Sequence, residues 1–190
     1  MLLISQNIDN YHFNLPDDVI FRINMAWCNS LEELKDKLEN NPKSKFFIDL
    51  PIGRIKPPNN RYTLDEISPI INEYDNVSFF AISNVESDMD LKEFHEKLLP
   101  RINLVPKIES PYAVKNIDNI CKSLKNSEKY IMLDHDDLFS KMIKNNENPE
   151  NFKNYIKILI DYCETNDIHL LRTVGVIFSD DEKRITQYQN

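Results

Sequence analysis

The sequence predicts an α/β fold built on a parallel sheet, and three observations carry that reading. Seven short apolar segments of strand length alternate with helical stretches of about 11–16 residues. Most of the helical stretches open on a residue that can cap them. A chain of 190 residues suits one domain with one core, and no repeat, low-complexity run or linker divides it. Periodicity alone leaves a doubly wound sheet and a barrel open.

Taken in order, Leu2 to Ser5 is a short buried strand, and Gln6 to Asp18 is polar with no helical period. Val19 to Met25 is a strand that places Arg22 and Asn24 on one face. Ser30 and Glu33 form a capping box, followed by Leu31, Leu34 and Leu38 at helical spacing. The strand Lys45 to Leu50 carries Asp49, and the Pro- and Arg-containing stretch up to Tyr62 reads as an exposed, stiff connection. Thr63 and Glu66 open a helix to about Tyr74, before the strand Val77 to Ile82. Ser87 caps a helix to about Leu99.

The strand Ile102 to Ile108 runs into a helix capped by Ser110, with Pro111 at its first position, where a missing N–H costs nothing. Tyr130 to Leu133 is the next strand, and Asp134, His135, Asp136 and Asp137 form an acidic turn with His135 exposed. Asn148 and Pro149 open a helix through Cys163. Ile168 to Ile177 is the last strand, and the tail from Ser179 is polar.

Composition narrows the function. A net charge of −8 argues against nucleic acid or an anionic membrane as partner. No apolar run is long enough to span a bilayer, and the first residues lack the pattern of a signal peptide. Cys28, Cys121 and Cys163 are not at metal spacing and read as reduced packing residues, so a cytoplasmic location is expected. Two glycines leave no material for a glycine-rich phosphate cradle. His12, His95 and His169 have no metal-site spacing.

The chemistry concentrates near Val105–Asp118. Lys107 and Glu109 stand two residues apart, so both side chains leave one face at a strand's C-terminal end. An exposed ion pair is the plain alternative. Arg22, flanked by apolar residues, calls for a partner such as Asp49 or for a ligand.

Several segments, in order, resemble the barrel domain of the pyruvate kinase family, within the phosphoenolpyruvate/pyruvate barrel superfamily. V-I-F-R-I-N, F-F-I-D-L-P-I-G, V-S-F-F-A-I-S, V-P-K-I-E-S-P-Y-A-V-K-N-I-D-N-I and Y-I-M-L-D-H-D-D-L are similar to that family's second to sixth strand regions. The resemblance implies an incomplete parallel (β/α) TIM-like barrel of about seven strands over residues 1–178, with a polar tail over 179–190. It implies Lys107 beside the ligand's enolate oxygen, Glu109 and Asp137 as ligands of Mg²⁺ or Mn²⁺, and Arg22 as an anion-binding group. It further implies Asn24 and Asp49 around a monovalent cation such as K⁺, with Asp136 and Thr173 at the substrate. Trp27 is expected to pack at the mouth.

The departures from that family are specific. Leu50 stands at a cation-binding threonine, His135 at an arginine, Asp136 at a glycine and Val174 at the catalytic threonine. The nucleotide-clamping domain is missing. Two functions remain. One is a small metal-dependent enzyme, a lyase or transferase, that binds a 2-oxo acid or phosphoenolpyruvate-like ligand and stabilises an enolate. The other is a catalytically lapsed barrel that serves as a binding or assembly subunit. An incomplete barrel has open edges, so a homodimer is expected.

Overall fold

A computed structural model describes the backbone of residues 2–5 and residues 19–53, 58 and 60–172 in full. Thr173, the far end of the last predicted strand and the polar tail lie outside the described residues.

Seven strands pair in chain order: β1 (Leu2–Ser5), β2 (Val19–Asn24), β3 (Lys45–Leu50), β4 (Val77–Ile82), β5 (Asn103–Ile108), β6 (Lys129–Leu133) and β7 (Ile168–Arg172). Every pairing is parallel. Because β1 is only a four-residue backbone segment, the body of the sheet is the six strands β2–β7, curled into a half-barrel. This corrects the incomplete TIM-like barrel of about seven strands to an open, all-parallel half-barrel. Among the described residues β7 pairs with β6 and with nothing else, so the ring does not close. Closure needs about eight strands to leave room for inward side chains. Here the concave face already holds the rings of Phe47, Phe79 and Tyr130.

The helices are α1 (Leu31–Glu39), α2 (Leu64–Glu73), α3 (Lys92–Lys97), α4 (Pro111–Lys115), α5 (Ile117–Ser123), α6 (His135–Lys144) and α7 (Asn151–Thr165). Their starts follow local chemistry. Ser30 accepts the Glu33 N–H, while Glu33 reaches back to the Asn29 N–H rather than to the cap itself. Thr63 and Glu66 make a reciprocal capping box. Ser110 accepts from Ala113 N–H, with Pro111 in the first turn of α4.

The main correction to the element list is α6. The acidic turn is a helix start: Asp134 is its N-cap, Asp136 and Asp137 fill the first turn, and Lys141 and Lys144 fill the last. Acid at the start and base at the end oppose the helix dipole, a signal present in the sequence.

Two cores flank the sheet. The larger lies between sheet and helices and includes Leu34, Leu38, Phe46, Ile48, Ile67, Ile71, Phe80 and Leu159. Each fully buried side chain of this kind contributes roughly 1.5–3 kcal/mol. The smaller fills the concave face with Ile20, Phe47, Phe79, Ala81, Val105, Tyr130 and Met132. Phe79 meets Tyr130 edge-on at 5.0 Å, and Tyr130 stacks on His169 at 4.6 Å.

Candidate functional site

The side-chain period of two builds the site. On the concave face the rows read Ile20, Arg22, Asn24 on β2 and Phe47, Asp49 on β3. They continue as Phe79, Ala81, Ser83 through β4, Val105, Lys107, Glu109 through β5, and Tyr130, Met132, Asp134 through β6. Each row starts apolar and turns small, polar or charged at the C-terminal end. Ile108 pairs with Leu133, so Glu109 and Asp134 leave adjacent strands side by side.

Above the apolar floor opens a cavity of about 410 Å³. Its walls include Arg22, Asn24, Gly53, Ser83, Asn84 and Lys107. Glu109, Asp134, Asp137, Ser140, Lys141 and Lys144 complete them.

Lys107 is 6% exposed and is the hub. Its ammonium lies 2.9 Å from Glu109 Oε1, 3.8 Å from Asp134 Oδ2 and 4.0 Å from Asp49 Oδ1, and it donates to Ser83 Oγ at 3.3 Å. Burial by itself would push that ammonium down; Asp49, Glu109 and Asp134 outweigh it, so its pKa stands above the ordinary lysine value. Burial pushes the Glu109 carboxyl up, against the opposing pull of Lys107 and of the Asn84 N–H that it accepts at 2.8 Å.

Glu109, Asp134 and Asp137 can each offer one oxygen to a shared ion, since those atoms all lie within 4.8 Å of one another. Asp134 has two tasks: Oδ1 accepts the Asp137 N–H as helix cap, while Oδ2 faces Lys107. The sequence pointed to Glu109 and Asp137 and missed Asp134. Three carboxylates are a donor set that suits a hard divalent cation.

The other predicted residues divide. Arg22 lines the cavity and is ion-paired with the fully buried Asp49. Asn24 lines it too, while its Oδ1 accepts the Ala26 N–H at 3.0 Å and caps the turn Met25–Trp27. Asp49 is engaged by Arg22 and Lys107 rather than lining the cavity. Asp136 is exposed and is not among the lining residues. Thr173 lies outside the described residues.

Two expectations are overturned by burial. Trp27 is 61% exposed instead of packed. His135 is 3% exposed, with its ring 6.3 Å from Phe152, and burial with Arg172 pushes its imidazole down to about 4.

Sequence reasoning also missed Asn84. It takes a left-handed backbone (φ 57°), which brings its N–H onto Glu109. Its amide donates to Ile52 O at 2.8 Å and accepts from Lys141 Nζ at 2.8 Å. Asn tolerates this conformation better than most residues, the one local hint available.

No protein-family model matches the chain, and no curated protein matches it in sequence. Among solved structures it is similar to RipC from Yersinia pestis at a TM-score of 0.57, with 12% identity over 85% of this chain and 72% of that one. These findings overturn the resemblance to the pyruvate kinase family. Its most specific segment, K-I-E-S-P with N-I-D, encodes a strand end, a Ser cap and a first-turn Pro, which many βα units need. At such low identity the likeness to RipC shows a shared α/β fold and nothing of its chemistry. Among the described residues no helix is long and apolar enough to cross a membrane.

Proposed function

We propose that the chain is a small divalent-metal-dependent enzyme, a lyase or transferase, that binds a 2-oxo acid and stabilises its enolate. The observation that carries this reading is the convergence of Glu109, Asp134 and Asp137 beside buried Lys107 in one cavity. Glu109, Asp134 and Asp137 would hold Mg²⁺ or Mn²⁺, which when bound supplies Lewis-acid stabilisation of negative charge on the ligand oxygens.

Lys107 stays protonated among its carboxylates, so its role is a fixed cation beside a developing oxyanion rather than a base. Ser83 and Glu109 hold that ammonium in place. Arg22 adds a second cation, steadied by Asp49. Asn24 and Asp49 are already engaged by protein partners, so this reading includes no K⁺.

Asp136 stands outside the cavity, so its charge does not crowd an anionic ligand there, which favours the enzyme over a lapsed binding subunit. A homodimer remains part of the proposal, since an open parallel sheet leaves edges to cover.

Calorimetry tests the reading with oxalate, which mimics the pyruvate enolate. Oxalate is expected to bind in the presence of Mn²⁺ and at least about tenfold more weakly without it. Absence of Mn²⁺-dependent oxalate binding overturns the proposal.

A further inference from the structure

The cavity has a second pole. Asp137, Ser140, Lys141 and Lys144 follow one another at i, i+3, i+4 and i+7, a single stripe of α6, and all four line the cavity. Along that stripe the charge reverses. Asp137 faces the other two carboxylates, whereas Lys141 and Lys144 lie roughly 6 Å and 10 Å further along the helix axis.

Lys141 is held in place before any ligand arrives. Its ammonium donates to Asn84 Oδ1 at 2.8 Å and lies 3.5 Å from Glu86 Oε1. Among the described residues no carboxylate stands within ion-pairing distance of Lys144. Lys141 and Lys144 therefore add cationic groups to the cavity wall beyond those that face the three carboxylates and Lys107.

We propose that the site takes a small acid with two separated anionic groups. A 2-oxo or 2-hydroxy carboxylate occupies the Glu109–Asp134–Asp137 end, and a carboxylate or phosphate at the far end of the molecule is held by Ser140, Lys141 and Lys144. The inference rests on the metal reading above and adds the ligand's length and second charge. Lys141, pinned by Asn84, loses little freedom on binding; Lys144 supplies the charge that is not yet matched.

Calorimetry on the Mn²⁺-loaded protein with two matched pairs tests it: 2-oxoglutarate against 2-oxopentanoate, and 3-phosphoglycerate against glycerate. The member with the charged far end is expected to bind about five- to tenfold more tightly in at least one pair, and the pair that discriminates identifies the far group as carboxylate or phosphate. Lys144→Met, at an exposed position that does not threaten folding, is expected to cut that preference at least about twofold, with Ser140 and Lys141 holding the remainder. Equal affinities in both wild-type pairs overturn the inference, as does a preference that Lys144→Met leaves undiminished. Wild-type protein that binds oxalate with Mn²⁺ but shows no preference sinks this inference alone. Protein that binds no oxalate with Mn²⁺ sinks the metal reading and this inference together.

Discussion

The two ends of the strands use polar side chains differently. At the N-terminal ends, polar side chains bond mainly to backbone carbonyls. Asn76 donates to Leu38 O at 2.8 Å and Asn41 O at 3.1 Å, and Asn72 donates to Lys97 O at 2.8 Å. Arg101 reaches Val77 O at 3.0 Å and Asn72 O at 2.8 Å. At the C-terminal ends, charged side chains face one another and a cavity: Arg22 with Asp49, and Lys107 with Glu109, Asp134 and Asp49. Bonds to main-chain carbonyls fix loops and leave nothing to offer a ligand. Clustered charges hold the fold weakly, because burying each costs much of what pairing returns. One end therefore serves stability, and the other has groups that can change partner.

That contrast breaks first, and most visibly, at Glu109. Glu109→Gln keeps the side chain's shape and removes one of three candidate metal oxygens. Loss of Mn²⁺ affinity should exceed about 100-fold, beyond the usual cost of losing an outer-shell partner. Lys107 still has Asp49 and Asp134, so stability should fall by no more than about 1–2 kcal/mol. A thermal melt and a Mn²⁺ titration on one sample read both. Intact Mn²⁺ affinity with a collapsed fold would assign Glu109 to structure.

Arg101→Met is the mirror experiment. It keeps the stem and strips a charged donor from the carbonyls of Val77 and Asn72. Urea unfolding is expected to show a loss of about 1.5–3 kcal/mol. Mn²⁺ affinity should match wild type; a drop of tenfold or more would show that the two ends are coupled.

The smallest expected effect is in pH. Glu109 has a raised pKa in the fold, so between its ordinary value and the raised one the folded state holds the extra proton. The associated stability is present below the ordinary carboxylate range and is lost as pH rises through the folded value. A metal competes with that proton, so the rise in Tm produced by Mn²⁺ should grow over the same window. Glu109→Gln should remove that pH dependence, and a Mn²⁺ shift that is flat with pH in wild type would count against Glu109 as a ligand.

Much of this was legible in the chain because it is local. Caps at Ser30, Thr63 and Ser110 set helix starts within three residues of themselves. Alternation put Arg22 with Asn24, and Lys107 with Glu109, on one face, since a strand's period of two needs no tertiary information. The alternation of strands and helices determined a parallel α/β sheet, whereas its order, with each strand beside the next in the chain, came only from the tertiary structure.

The rest depended on neighbours distant in sequence. Asp134 became a candidate ligand only because β5 and β6 align Ile108 with Leu133. Asn84 reaches Lys141 across 57 positions, and no local pattern shows such a contact. His135 is buried because α6 begins where the acidic turn was expected, placing its ring near Phe152 of α7. The half-barrel was likewise a tertiary outcome. Local pattern sets strands and their direction, whereas curvature and closure depend on how concave-face side chains such as Phe47, Phe79 and Tyr130 fill the space between them.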